Sequence, residues 1–152
     1  MKKLFAIVLT FALLMSLSVT AFAANTTGGD ADITTSIAPT YTVTIPADVN
    51  VQFNATETAF GTVEVTASQI HPDKCIKVAL ATDKELNNAL DNTKVIPYAI
   101  KDSEGAAFTS ATYLTEGDKT ELSIHITAND WNAAYAGDYS DTVTFTVSYE
   151  DK

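Results

Sequence analysis

Residues 142–149 read Thr-Val-Thr-Phe-Thr-Val-Ser-Tyr, so Val143, Phe145, Val147 and Tyr149 alternate strictly with Thr142, Thr144, Thr146 and Ser148. Successive side chains of a β-strand point to opposite faces, so a period of two marks a strand with one apolar face and one hydroxyl-bearing face. A helix would spread both rows around its circumference. The residues themselves are β-branched and aromatic, the types that pack well on a pleated surface. On this register Phe145→Ala is expected to cost about 3–5 kcal/mol, as buried phenylalanine truncations do, and Thr144→Ala far less.

The same period recurs upstream. Ala31, Ile33, Thr35, Ile37, Pro39, Tyr41, Val43 and Ile45 occupy the odd positions of one long run, with Thr34, Ser36, Thr40, Thr42 and Thr44 between them. Pro39 lacks an N–H for a ladder, so it belongs at an edge or a kink, and Pro46 ends the run. Shorter apolar faces follow at Val49, Val51 and Phe53, and, after a turn signal at Gly61, at Val63, Val65 and Ala67. Others lie at Ile76, Val78 and Leu80, at Ile96, Tyr98 and Ile100, and at Leu122, Ile124 and Ile126. Two stretches depart from this pattern. Residues 84–90 carry Leu86 and Leu90 at helical spacing, and residues 129–137 suggest one helical turn capped by Asn129 or Asp130 and stopped by Gly137. Many short strands without a long helix predict an all-β protein, an antiparallel immunoglobulin-like sandwich of about seven to nine strands.

The N-terminus has a different character. Lys2 and Lys3 precede a run from Leu4 to Val19 that is apolar except for Thr10, Ser16 and Ser18, and Ala21-Phe22-Ala23 follows as an A-x-A site. A basic n-region, an apolar h-region and a small-residue cleavage site in that order make a secretory signal peptide over residues 1–23. A flexible leader is expected over residues 24–32 and a single sandwich domain over residues 33–152. Removing 23 of the 152 residues leaves 129, enough to bury a core without staples. Losing Lys2 and Lys3 takes the formal charge from −10 to −12, and the chain has no arginine. Such a chain offers no basic face to phosphates, so no nucleic-acid partner is expected. No membrane span is expected after cleavage.

Residues 131–149, from Trp131 through Ala136-Gly137-Asp138-Tyr139 into the final strand, are similar to the end of immunoglobulin-like and pilin-like bacterial sandwiches. The opening Ile37-Ala38-Pro39-Thr40-Tyr41-Thr42-Val43-Thr44-Ile45-Pro46 resembles the first strand of small surface proteins of Gram-positive bacteria, spore-coat-U-like or WxL-like in style. The resemblance implies a bacterial, secreted or cell-surface location, and a tyrosine corner at Tyr139 whose hydroxyl bonds back to nearby backbone. It departs from the WxL pattern, because Trp131-Asn132-Ala133 is the only tryptophan context. A bacterial origin would leave the sequons at Asn25 and Asn54 without meaning.

Sites of chemistry are sparse. His71 and His125 lie in unrelated places, and a nucleophile–base or metal–water mechanism needs convergent partners for them. No catalytic, cofactor or metal residue is therefore assigned, no cofactor is expected, and the chain is not read as an enzyme. Asp130, Asp138 and Asp141 could gather as oxygen ligands for calcium or stand as solvated turn acids. Trp131 and Tyr135 are candidate ligand contacts in loops, with Tyr113 a further aromatic near a loop. The lone cysteine, Cys75, has the parity of Lys77 rather than of Ile76, which points it outward, although strand starts often break alternation. The expected role is a structural, assembly or adhesin-like module that associates with itself by edge-strand pairing, or with cell-surface components. The alternative is a carbohydrate- or ligand-binding module. Residues 25–38 are expected to fold back as the domain's own first strand, with donation to a neighbour's sheet as the other possibility. Intact mass of the exported protein tests the signal assignment: its N-terminus is expected at Ala24, and a species still carrying residues 1–23 would overturn it.

Overall fold

In the computed structural model the described residues are 9–10 and 30–152; the signal and leader readings over 1–23 and 24–29 otherwise lie outside them. The strands are β1 (Leu9–Thr10), β2 (Thr40–Thr44), β3 (Glu57–Gln69), β4 (Lys74–Ala81), β5 (Glu85–Asn88) and β6 (Val95–Pro97). They continue as β7 (Ala99–Asp102), β8 (Ser110–Tyr113), β9 (Lys119–His125), β10 (Tyr139–Ser140) and β11 (Thr144–Asp151). One short helix, α1 (Ala128–Ala133), precedes β10. A first sheet has the order β1-β2-β3-β9-β7, a second β11-β4-β8, and a third, small one β10-β5-β6. Every pairing is antiparallel. The protein is all-β, with the first two sheets packed face to face as a sandwich.

The core is drawn from both faces: Val43, Val63, Val65, Leu122 and Ile124 from the first sheet, Ile76, Val78 and Tyr113 from the second. Ile96 from the third sheet and Trp131 from α1 close one end of the same cluster. Val63, Val65, Ile76 and Val78 have no exposed surface at all. A bulge shapes the pairing of β3 with β9. Phe60 is the extra residue between Ala59 and Gly61 in the pairing with β9, a bulge that turns its ring toward the second sheet. Gly61 has φ +135°, and a Cβ there would lie 3.1 Å from the Pro46 Cβ, so the bulge needs glycine both for its backbone angle and for room.

Several expectations change. The long first strand starts only at Thr40; residues 30–38 lie in no strand and are exposed, with Ile33 at 99% and Ile37 at 68%. The physical reason is that Thr40 already pairs with Gln69, the last residue of β3, so the chain upstream runs past the end of the sheet. Val49, Val51 and Phe53 form no strand but part of a loop. Residues 84–90 hold a strand rather than a helix, since pairing on both sides with β6 and β10 outweighs a weak local helical pattern. The run 96–100 is divided at Tyr98 between two sheets. Tyr113 is buried within β8, and Cys75 is buried at the start of β4, where both it and Ile76 are covered. Helix α1 is capped by Thr127, whose hydroxyl accepts from the Asp130 N–H, and it ends before Gly137.

The β11 register has a consequence for energetics. Val143, Phe145 and Val147 pack against the core but are only half-buried, as is Tyr149, which stacks on Tyr41, while Thr144 and Thr146 are exposed. Ile76→Ala is therefore expected to cost about 2–5 kcal/mol in urea unfolding, whereas Phe145→Ala should cost only about 1–2 kcal/mol. Equal losses at the two positions would contradict this uneven burial.

Candidate functional site

A cleft of about 1190 Å³ opens where the end of β2, the start of β11 and the third sheet meet. Its floor is the exposed end of the core: Ile45, Phe60, Ile96, Trp131, Val143 and Phe145 all line it. From there the two edges run beside each other to the opposite end of the sandwich. Phe60 lies 6.0 Å from Phe145 at the cleft, and Tyr41 of β2 stacks on Tyr149 of β11 at 5.9 Å. Those aromatic pairs span the side of the sandwich on which the second sheet ends at β11, whose outer edge has no ladder among the described residues.

Trp131 sits at the cleft with its ring largely committed. Its indole N–H donates to the Ala55 carbonyl at 2.8 Å, and Phe53 meets the ring edge-on at 5.6 Å. It anchors the loop after β2 to α1. Tyr135, on the rim, is 63% exposed, with the Lys94 ammonium 5.0 Å from its ring centre. Trp131 and Tyr135 thus share one cleft, but only Tyr135 presents much surface. The Tyr139 hydroxyl donates to the Tyr135 carbonyl at 3.0 Å and lies 3.2 Å from the Tyr135 N–H, which donates to it. This bond over four residues holds the rim segment in a closed loop. Gly137 completes that loop: a Cβ there would come within 2.6 Å of the buried Asn88 side chain.

The cleft wall carries a polar cluster that sequence spacing did not indicate, because its members come from three separate segments. Tyr98 donates to the Asp141 carboxylate, and the Thr82 hydroxyl donates to the same oxygen at 2.8 Å. Thr82 and Tyr98 are themselves 2.7 Å apart, so three contacts share two hydroxyl protons. Burial works to raise the Asp141 pKa, but bonds from Tyr98, Thr82 and the Thr142 N–H outweigh it and hold the carboxyl below its usual range. Burial and the Asp141 bond push the Tyr98 hydroxyl well above its ordinary value. Asp141 is thus committed to this cluster. Among the described residues no three His, Cys, Asp or Glu side chains come together as a metal group, and Asp130 bonds to Thr127 instead.

One pair resembles a catalytic arrangement without its geometry. Ser123 Oγ lies 2.9 Å from His125 Nε2, and Glu57 Oε1 lies 3.9 Å from the same nitrogen. A relay needs the acid on the other ring nitrogen, where it orients the base. Here both contacts compete for Nε2, outside the cleft. His71 sits in the exposed loop between β3 and β4, its backbone N–H bonded to the Tyr149 hydroxyl at 2.9 Å.

No protein-family model matches the chain, and no curated protein matches it. No helix among the described residues is long and apolar enough to cross a membrane.

The Asp141 cluster sets a pH dependence. A carboxylate whose folded-state pKa is depressed adds stability that is fully present above its unfolded value, near 4. That stability is lost as pH falls through the lower folded value. Tyr98, raised on folding, adds stability present below about pH 10 and lost above it. Asp141→Asn should cost about 1–2 kcal/mol at neutral pH and flatten the acid limb of a plot of Tm against pH. An unchanged acid limb would show that Asp141 does not drive it.

Proposed function

We propose that the chain is a non-catalytic extracellular protein, exported by a cleaved signal peptide, that assembles with copies of itself through its open sheet edges. The observation that carries this reading is the side of the sandwich between β2 and β11. There Val143, Phe145, Val147 and Tyr149 stay half-buried, beside the outer edge of an eight-residue β11 that has no ladder partner among the described residues. An edge of that length is a template for another strand, and half-covered apolar side chains supply the gain from covering it. The charge of the processed chain keeps such an edge from indiscriminate association. The competition for His125 Nε2 and the commitment of Asp141 to a hydrogen-bonded cluster both favour a non-catalytic role.

A second reading is recognition of a glycan or similar ligand at the cleft. It is favoured by Tyr135 and by Phe53, which is 76% exposed, both lining one opening. Light scattering after gel filtration separates the two. Assembly predicts a mass that grows with protein concentration, whereas recognition predicts a constant monomer retained on a glycan array. A constant monomer over a wide concentration range would overturn the assembly reading.

A further inference from the structure

We infer that residues 31–38 of one copy are the strand that completes the open side of the next copy, inserting Ile33 and Ile37 between β2 and β11. The inference rests on the assembly reading and names its donor segment.

Four observations converge on it. First, the segment has no place in its own domain: Thr40 pairs with the terminal residue of β3, and every residue from Asp30 to Ala38 is exposed. Second, its side chains have the pattern of a strand that buries one face. Ile33, Thr35 and Ile37 share one side, and two large apolar residues held in water carry a cost that docking relieves. Third, the receiving side offers a matching apolar row: Phe145 and Val147 of β11, two residues apart on one face, are only half-buried beside Phe60. Fourth, the β2 edge beside this groove already takes an added strand. Leu9 and Thr10 pair antiparallel with Val43 and Thr42, and they belong to the stretch read as a signal peptide. Its removal would leave both edges of that side bare.

The geometry also favours a neighbour over self-closure. Residues 30–38 leave the sandwich at the Tyr41–Tyr149 end and are joined to β2 through Pro39 alone. Laying them along their own β11 would require a full reversal within Ala38 and Pro39. A second copy needs no reversal. Its main-chain groups would bond to the β11 edge while the isoleucines meet Phe145, Val147 and Phe60, the form of recognition in which backbone gives affinity and alternate side chains give fit. Because donor and acceptor are different surfaces of one chain, the contact is head-to-tail and propagates into a linear polymer.

The test uses the exported protein, its Ile33→Asp/Ile37→Asp variant and a synthetic peptide of residues 30–39. Both isoleucines lie outside the folded core, so the variant should fold and melt like the wild type as a dilute monomer. The expected result is wild-type oligomers that grow with concentration, a variant that stays monomeric, and saturable binding of the peptide to the variant with a rise in its Tm of several degrees. Wild-type oligomers that persist in the variant, or a variant that ignores the peptide, would overturn the donor assignment and leave assembly by another edge standing. A wild type that stays monomeric throughout would overturn the donor assignment together with the assembly reading.

Discussion

Joint burial of Val63 and Val65 of β3 with Ile76 and Val78 of β4 in one apolar core holds the sandwich together. These side chains are fully buried, and they sit on consecutive strands that belong to opposite sheets. The chain crosses from one sheet to the other through Ile70–Asp73, so a short loop brings the two halves of the core face to face. β-Branched residues suit this place because their side chains lose little rotamer freedom on burial and pack densely on a pleated surface. Everything else is added around it: β9 and β7 extend one sheet, β8 and β11 flank β4, and Ile96 and Trp131 close one end.

That core is unevenly covered. On the β9 and β8 side, Leu122, Ile124 and Tyr113 are buried, and the Tyr113 hydroxyl donates to Thr120 at 2.8 Å to tie the sheets. On the other side β11 meets β2 through the Tyr41–Tyr149 stack and β3 through Phe60 and Phe145, and its apolar row stays half-buried. A strand can be long and regular, as β11 is over its eight pairs with β4, and still bury its apolar face poorly if nothing covers its flank. The cleft lies at the end where β2 stops and β11 begins, above the buried Ile96 and Trp131.

Several turns are stabilised locally by carboxylates. Asp118 accepts from the Leu114 and Thr115 N–H groups, Asp102 from Glu104 and Ala106, and Asp91 from Thr93. Bonds of this kind lower the pKa of Asp118 and of Asp91. These acids shape the turns they sit in, and exposed apolar side chains stand beside two of them, at Leu90 and Leu114. Ile33, at 99%, is the most exposed large apolar residue among those described.

Strand identity was legible wherever a regular alternation coincided with pairing in register. β4, β9 and β11 follow directly from Ile76-Val78-Leu80, Leu122-Ile124 and Phe145-Val147-Tyr149, because a period of two is a local property that burial of one face then rewards. The Tyr139 hydroxyl bonds to the Tyr135 carbonyl, four residues away. Partners distant in sequence decided the rest. Glu85–Asn88 has helical spacing but became a strand between β6 and β10, and Ile33–Ile37 has strand spacing but lies past the last residue of β3 that could pair with it. The Thr82–Tyr98–Asp141 cluster joins three segments that no spacing connects. Period and composition determine which residues can form a strand and which face is apolar; only the tertiary structure decides which strands find partners, and so which apolar face is left uncovered.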